Sequence, residues 1–293
     1  MGRLVEVADT KLYVEERGDP SAFPVLVFHG GPGMDHTMFA DYLDPLTERT
    51  GGSGYRLVLV DERASGRSDR TAALETWTLP RMAQDVSDLA ASLGIGDRYA
   101  TLGHSYGAFV VLQHAVDHPG EPRGTIVSAG MADARWLQGV DRELAKFEPV
   151  ELREQVTASW ARETEVQTQD EANALLVDQM PFHFRDPRGA PLQEYLRRTA
   201  GLAQYAPDMI RHFATQDYGG IDLDDRLGEV THPVLVLAGR HDRTCAVGAS
   251  EDMVRRLPNA ELAVFENSAH MMFVEEQDRY LVTVRQFLDG IAR

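Results

Sequence analysis

The feature that most constrains this chain is a pentapeptide, Gly103-His104-Ser105-Tyr106-Gly107, at the junction of an apolar run and a helix-like run in "ATLGHSYGAFVVLQHAV". A strand that turns sharply into a helix forces the central residue into a strained backbone conformation, and side chains two positions away would collide. Glycines at those positions permit the turn, which holds the Ser105 hydroxyl exposed above a sheet. The helix that starts behind the serine points its N-terminal dipole at the same spot and favours negative charge developing there. A glycine-rich loop can carry this pattern by accident; the strand-turn-helix context gives it meaning.

Around the pentapeptide, short apolar runs alternate with longer helix-like segments. "FPVLVFHG", "YRLVLVDE", "RYATLGHS", "GTIVSAG", "PVLVLAGRHD" and "AELAVFENS" each read as a buried strand, and the opening "MGRLVEVADTKLYVEERG" alternates like a strand pair. Between them, Met82, Val86, Leu89 and Leu93 recur at helical spacing, as do Tyr280, Val284, Phe287 and Leu288 near the end. Such alternation predicts an α/β fold with a mostly parallel central sheet and helices on both faces. From about Ala132 to about Gly220 no buried strand is evident, and the sequence is charged and helix-prone. A helical insertion there would lie over the carboxyl edge of the sheet, where open α/β folds bind ligands. The expected organisation is a core over 1–131, a helical cap over 132–220, and the rest of the core over 221–293.

Composition narrows the function. A formal net charge of −17 argues against nucleic acid and anionic membrane surfaces as partners, since both need a basic face. No run approaches the ~18 apolar residues of a membrane span, and the start lacks the apolar core of a signal peptide. One cysteine, Cys245, excludes an internal disulfide and suits a reducing compartment, so a cytoplasmic protein is expected. No sequence feature specifies an oligomer.

A serine hydroxyl at neutral pH needs a base to take its proton. His270 follows the last apolar run and stands where a base at the sheet edge would be. A carboxylate should orient that imidazole. Asp242, just past "PVLVLAG", is the first candidate and Asp133, after "GTIVSAG", the second. The order Ser105, Asp242, His270 is the one this architecture predicts. The developing oxyanion needs donors. One would be the backbone N–H of Tyr106. The other would come from His29-Gly30-Gly31-Pro32-Gly33, with Gly31 preferred and Gly30 the alternative.

These motifs together resemble the α/β-hydrolase superfamily and, more narrowly, the proline iminopeptidases. "HGGPG" is similar to that family's oxyanion loop. "DERASGRSD" resembles its D-x-R-G-x-G-x-S segment, with Ala64 in place of a glycine, and "GHSYG" its G-G-S-[WY]-G, with His104 in place of a glycine. The resemblance implies a serine hydrolase that works through an acyl-enzyme, without metal or organic cofactor, on a small ester, lactone, amide or short peptide. A true proline iminopeptidase is the alternative, and a weakly catalytic ligand-binding receptor is the alternative of another class. Those aminopeptidases hold the substrate's α-amino group with glutamates. Here Arg243 follows Asp242, and Arg211-His212 precede Phe213 late in the cap, where an acid would be expected. Cations there would repel an ammonium group, so neutral or N-blocked substrates are expected to be preferred, with Glu194 or Asp217 the acids that could reverse this. Phe182, Phe184, Tyr205, Met209, Phe213 and Tyr218, with Arg211 and Arg243, are the expected pocket residues; Trp136 is a further cap aromatic.

Overall fold

Runs rich in Val, Leu and Ile can bury their backbone only by pairing it. In the computed structural model, which describes residues 2–48 and 54–292, they do so in one eight-stranded sheet. Strands β1 (Gly2–Val7), β2 (Thr10–Arg17), β3 (Phe23–Phe28), β4 (Tyr55–Val60), β5 (Ala100–His104), β6 (Gly124–Ser128), β7 (Val234–Gly239) and β8 (Ala260–Phe265) lie in the order β1-β2-β4-β3-β5-β6-β7-β8. The pairs β1–β2 and β2–β4 are antiparallel; the remaining neighbours are parallel. All six residues of β3 and of β7 are buried. Because successive side chains point to opposite faces, both faces of the sheet must be covered.

Helices α1 (Leu79–Ser92) and α2 (Tyr106–Asp117) follow β4 and β5. As the spacing predicts, α1 buries Met82, Val86 and Leu89, and the Thr78 hydroxyl caps its start by accepting from the Arg81 N–H at 3.3 Å. Between β6 and β7 come α3 (Val140–Ala145), α4 (Val150–Ala161), α5 (Gln169–His183), α6 (Ala190–Thr199) and α7 (Pro207–Ala214). This segment leaves and re-enters side by side. Asp133 pairs with Asp222, the Ala134 N–H donates to Ile221 O at 2.7 Å, and the Leu223 N–H donates to Ala132 O at 2.8 Å. The chain closes with α8 (Val247–Arg256), α9 (Met272–Glu275) and α10 (Gln277–Ile291), the last burying Tyr280, Val284 and Leu288.

The topology decides where a site can form. From β3 the chain moves to β4 on one side and then to β5 on the other, so the loops after β3 and β5 part in opposite directions. A crevice opens between such loops at the carboxyl ends of the strands. The loop after β3 is His29–Gly33, and the residue after β5 is Ser105.

Candidate active site

Ser105 occupies φ 55°, ψ −116° at the N-cap of α2. Its N–H donates to Ser128 O at 2.9 Å, which carries the β5–β6 ladder one residue past the strand. The flanking glycines are sterically required. A Cβ on Gly103 would sit 2.0 Å from Gly107 O, and one on Gly107 would sit 2.5 Å from both Phe28 O and His29 O. The sharp turn therefore presses the start of α2 against the end of β3.

That same approach brings the glycine loop to the serine. A Cβ on Gly30 would lie 3.0 Å from the Ser105 Cβ, and Gly31 adopts φ 59°. The Gly30 N–H is already engaged by Met38 Sδ at 2.9 Å, and the Gly107 N–H by His29 O at 2.9 Å. Among the described residues the N–H groups of Gly31 and Tyr106 have no protein acceptor. Of the two glycines weighed as donors, Gly31 is thus the one with a free N–H. The loop is braced from below by the Asp61–Asp69 segment. Asp61 Oδ1 accepts from the His36 N–H at 2.9 Å and pairs with His36 Nδ1 at 2.5 Å, while Oδ2 accepts from the Arg67 N–H at 2.8 Å. Ala64, which stands where the resembling family has glycine, adopts φ 55°.

Asp242 and His270 meet beyond β7 and β8. His270 Nδ1 lies 2.8 Å from Asp242 Oδ2 and 2.9 Å from Thr244 Oγ1. Asp242 Oδ1 accepts from the Thr244 N–H at 2.8 Å, the Thr244 hydroxyl at 2.8 Å and the Cys245 N–H at 2.9 Å. Burial alone would push this carboxyl up. The neighbouring His270, its hydrogen bond and the two backbone N–H groups outweigh burial and hold Asp242 below the usual carboxylate range. Asp133, the second candidate, is far from this arrangement in role: it accepts from the Arg135 N–H at 2.7 Å and caps a short helix. Asp242, Cys245 and His270 also bring three potential metal ligands within 4.8 Å of one another. Two of them are already bonded to each other, and burial holds the Cys245 thiol well above its ordinary range, away from the thiolate that a metal needs.

Ser105, Gly31, Tyr106 and His270 line one cavity of about 390 Å³ between the sheet edge and the inserted helices. Its walls are mostly apolar, with Met34, Met38, Phe109, Leu176, Met180 and Ile210 among them. Of the side chains expected to line it, only Tyr218 does. Phe182 is fully buried in a separate cluster with Leu144, Phe147 and Val156. Phe184 packs on Tyr195 at 5.7 Å between ring centres, and Phe213 lies behind Tyr106 at 5.3 Å. Met209 and Tyr205 also belong to the layer behind the wall rather than to the wall itself.

The expected cations are turned away too. Arg243 donates to Phe182 O at 3.0 Å, Phe184 O at 2.8 Å and Arg185 O at 3.3 Å, and its guanidinium sits 4.9 Å from the centre of the Phe147 ring. Arg211 is bonded to Val166 O and Asp208, and His212 Nε2 lies 3.2 Å from Trp77 O. Glu194 is paired with Arg197 and Arg198 on the surface, and Asp217 is exposed. Among the described residues the cavity wall contains no Arg or Lys and two acids, Asp141 and Glu163. Glu163 is buried and accepts from Gln179 Nε2 at 2.8 Å and from the Tyr218 hydroxyl at 2.8 Å. Burial pushes its carboxyl above the usual range, and those two hydrogen bonds pull it back only in part. Glu163, Thr244, and a cavity-facing His183 were not singled out by sequence. Glu163 follows a helix whose apolar residues form no single face, so nothing in its spacing marks it as buried.

A model of the alpha/beta hydrolase fold matches residues 24–277. A proline iminopeptidase of Saccharolobus solfataricus is 26% identical over 278 residues, covering 91% of this chain and 85% of the relative. One from Lactobacillus delbrueckii subsp. lactis is 28% identical over 271 residues, covering 88% of this chain and 87% of the relative. Among solved structures, a proline iminopeptidase of Mycobacterium smegmatis superposes with a TM-score of 0.75 at 24% identity, over 100% of this chain and 99% of its own. An esterase from Exiguobacterium antarcticum gives 0.76 at 24% identity, over 98% and 99%. Among the described residues no helix is long and apolar enough to cross a membrane. With a fold match that takes in the glycine loop, Ser105, Asp242 and His270 together, the chain belongs to the α/β-hydrolase family and is a proline iminopeptidase-like hydrolase within it.

Proposed function

We propose that this protein is a serine hydrolase that cleaves a small ester, lactone, amide or peptide bond through an acyl-enzyme, with residues 132–220 acting as a cap over the core. The observation that carries this reading is the shared cavity: Ser105 on its strained turn and an Asp242-anchored His270 face the same space as the free N–H groups of Gly31 and Tyr106. His270 takes the Ser105 proton as the oxygen attacks the substrate carbonyl, and Asp242 holds the ring in the required tautomer. The Gly31 and Tyr106 N–H groups donate to the oxyanion. His270 then gives its proton to the leaving atom, and an acyl group remains on Ser105. Water, deprotonated by His270, releases the acid. A fluorophosphonate probe should label the wild type and leave Ser105→Ala unlabelled. Equal labelling of both would remove Ser105 as the nucleophile.

Glu163 favours a second, narrower reading: release of an N-terminal residue, proline foremost, from a short peptide. A buried acid on a mostly apolar wall suits a substrate ammonium, and the cations expected to repel one do not face the cavity. The relatives named above are proline iminopeptidases. Comparing kcat/KM for Pro-p-nitroanilide and its N-acetyl form decides between the readings. Preference for the free amine supports the aminopeptidase; preference for the blocked form returns the assignment to a general esterase or amidase.

A further inference from the structure

Three imidazoles crowd one end of the cavity. The His270 ring centre is 4.9 Å from that of His104, at the end of β5, and 5.0 Å from that of His183, in the last turn of α5. Burial, reinforced by the neighbouring His270, holds both flanking rings far below the ordinary histidine range, His183 at about 3. Both are therefore neutral whenever His270 can act as a base.

The two flanking rings are not equivalent. His104 is fully buried, its Nδ1 is 3.3 Å from Ser128 Oγ, and it packs edge-on against Phe39 and Phe273. It belongs to the floor. His183 comes from the inserted helices, lines the cavity and is only partly buried, although its Nδ1 is enclosed with no hydrogen-bond partner. An N–H at Nδ1 would be a buried donor with no acceptor, so the proton is better carried on Nε2. That nitrogen then offers a donor to whatever occupies the cavity.

The main chain that carries the ring is also tied to the His270 loop. The His270 N–H donates to the main-chain oxygen of His183 at 3.0 Å. Two residues on, the Arg185 N–H donates to Glu275 Oε1 at 2.8 Å, while Glu275 Oε2 accepts from the Ala269 N–H at 2.7 Å. The end of α5 and the His270 loop are thus clamped at two points.

Acyl transfer assigns the space that this ring borders. The oxyanion lies toward Gly31 and Tyr106, whereas the leaving atom must lie against the imidazole that protonates it. A cavity-facing donor next to His270 therefore meets the departing fragment, not the acyl half. We propose that His183 is a specificity-determining residue for the leaving group, its Nε2–H donating to an acceptor oxygen three bonds beyond the scissile atom. Substrates whose alcohol or amine half carries such an oxygen, such as the carbonyl or carboxylate of a following residue in a short peptide or of a hydroxy ester, gain this contact; bare aryl and alkyl leaving groups do not. The inference rests on the acyl-enzyme reading proposed above.

The test compares two esters with the same acyl group, one with a methyl glycolate leaving group and one with phenol, in wild type, His183→Phe and His183→Gln. Acylation is read from the rapid first turnover, deacylation from the steady state after it, and the adduct on Ser105 from intact-protein mass. Loss of one neutral hydrogen bond should lower kcat/KM for the glycolate ester about ten-fold in His183→Phe. The phenyl ester and the shared deacylation rate should stay within about two-fold, and His183→Gln, which retains a donor, should recover most of the loss. Equal losses on both esters, or slowed deacylation, would overturn the proposal and make His183 a support for His270. Absence of any Ser105 adduct in the wild type would overturn the acyl-enzyme reading itself, and the proposal with it.

Discussion

The sheet and the helices inserted into it solve different problems, and the cavity between them inherits one wall from each. Strands β3, β5 and β7 are buried at every position, and what stands on their carboxyl ends is fixed by backbone: a free N–H at Gly31, two glycines around Ser105, two backbone donors on Asp242. The inserted helices instead bury polar groups among apolar ones. Ser159 Oγ donates to Leu175 O at 2.8 Å, and Glu163 accepts from both Gln179 and Tyr218. The wall that carries Ser105 is thus set by local steric rules at Gly103 and Gly107. The opposite wall is set by how helices cross, and that is where substrate preference can change without dismantling the reaction.

If that division is right, damage on the sheet side should be indifferent to substrate. Asp242→Asn should leave the fold intact and lower kcat by about 10⁴ for esters and anilides alike, because the wrong His270 tautomer is held. Steady-state kinetics on both classes check this, and near-normal turnover on either would break the comparison. Gly103→Ala is the next largest effect. The added carbon meets Gly107 O at 2.0 Å, a clash with backbone that cannot rotate away. A loss of about 3 kcal/mol is expected, visible as a lowered denaturant midpoint. An unchanged midpoint would mean that the turn has more freedom than its packing implies.

On the helical side the expected effects are smaller and selective. Glu163→Gln should lower kcat/KM for Pro-p-nitroanilide about ten-fold while changing the N-acetyl substrate little. A uniform loss would mean that Glu163 only holds Gln179 and Tyr218 in place. The smallest effect separates stability from chemistry. Glu62, beneath the site, is fully enclosed with neither carboxyl oxygen bonded, and burial together with Asp61 and Asp85 pushes it well above the usual range. Below the unfolded pKa both states keep the proton and stability is whole. As pH rises, the unfolded chain sheds the proton before the folded one, and stability falls until the folded pKa is passed. Glu62→Gln lacks this penalty, so it should match the wild type near pH 4 and exceed it in stability near pH 8 in chemical denaturation.

How much of this was legible in the sequence divides along the same line. Buried parallel strands are continuous apolar runs, so the sheet is readable, and the turn at Ser105 announces itself through glycines that sterics demands. Asp242 and His270 were reachable because each follows such a run. The pocket wall was not. Phe182, Phe184 and Phe213 read like lining aromatics, yet helix crossing buries them behind it, while Glu163 sits in an unremarkable charged stretch. Arg243 misleads for a specific reason. An arginine after the site aspartate suggests a charge facing substrate, but α5 ends beside it, and the chain there offers unsatisfied carbonyls at Phe182, Phe184 and Arg185 that capture the guanidinium.

The side-by-side stem at Asp133 and Asp222 has a practical consequence. A cut anywhere in the loops between α3 and α7 would yield two fragments with complementary deficits. The first would keep Ser105 and the N–H groups of Gly31 and Tyr106 without His270, and the second the His270–Asp242 pair without Ser105. They would share one long seam, the parallel β6–β7 ladder that joins Thr125–Ser128 to Val234–Leu237. Turnover of a fluorogenic ester would then report reunion of the halves, making this protein a scaffold for a two-part sensor in which proximity, supplied by any pair of fused binding partners, is read out as hydrolysis.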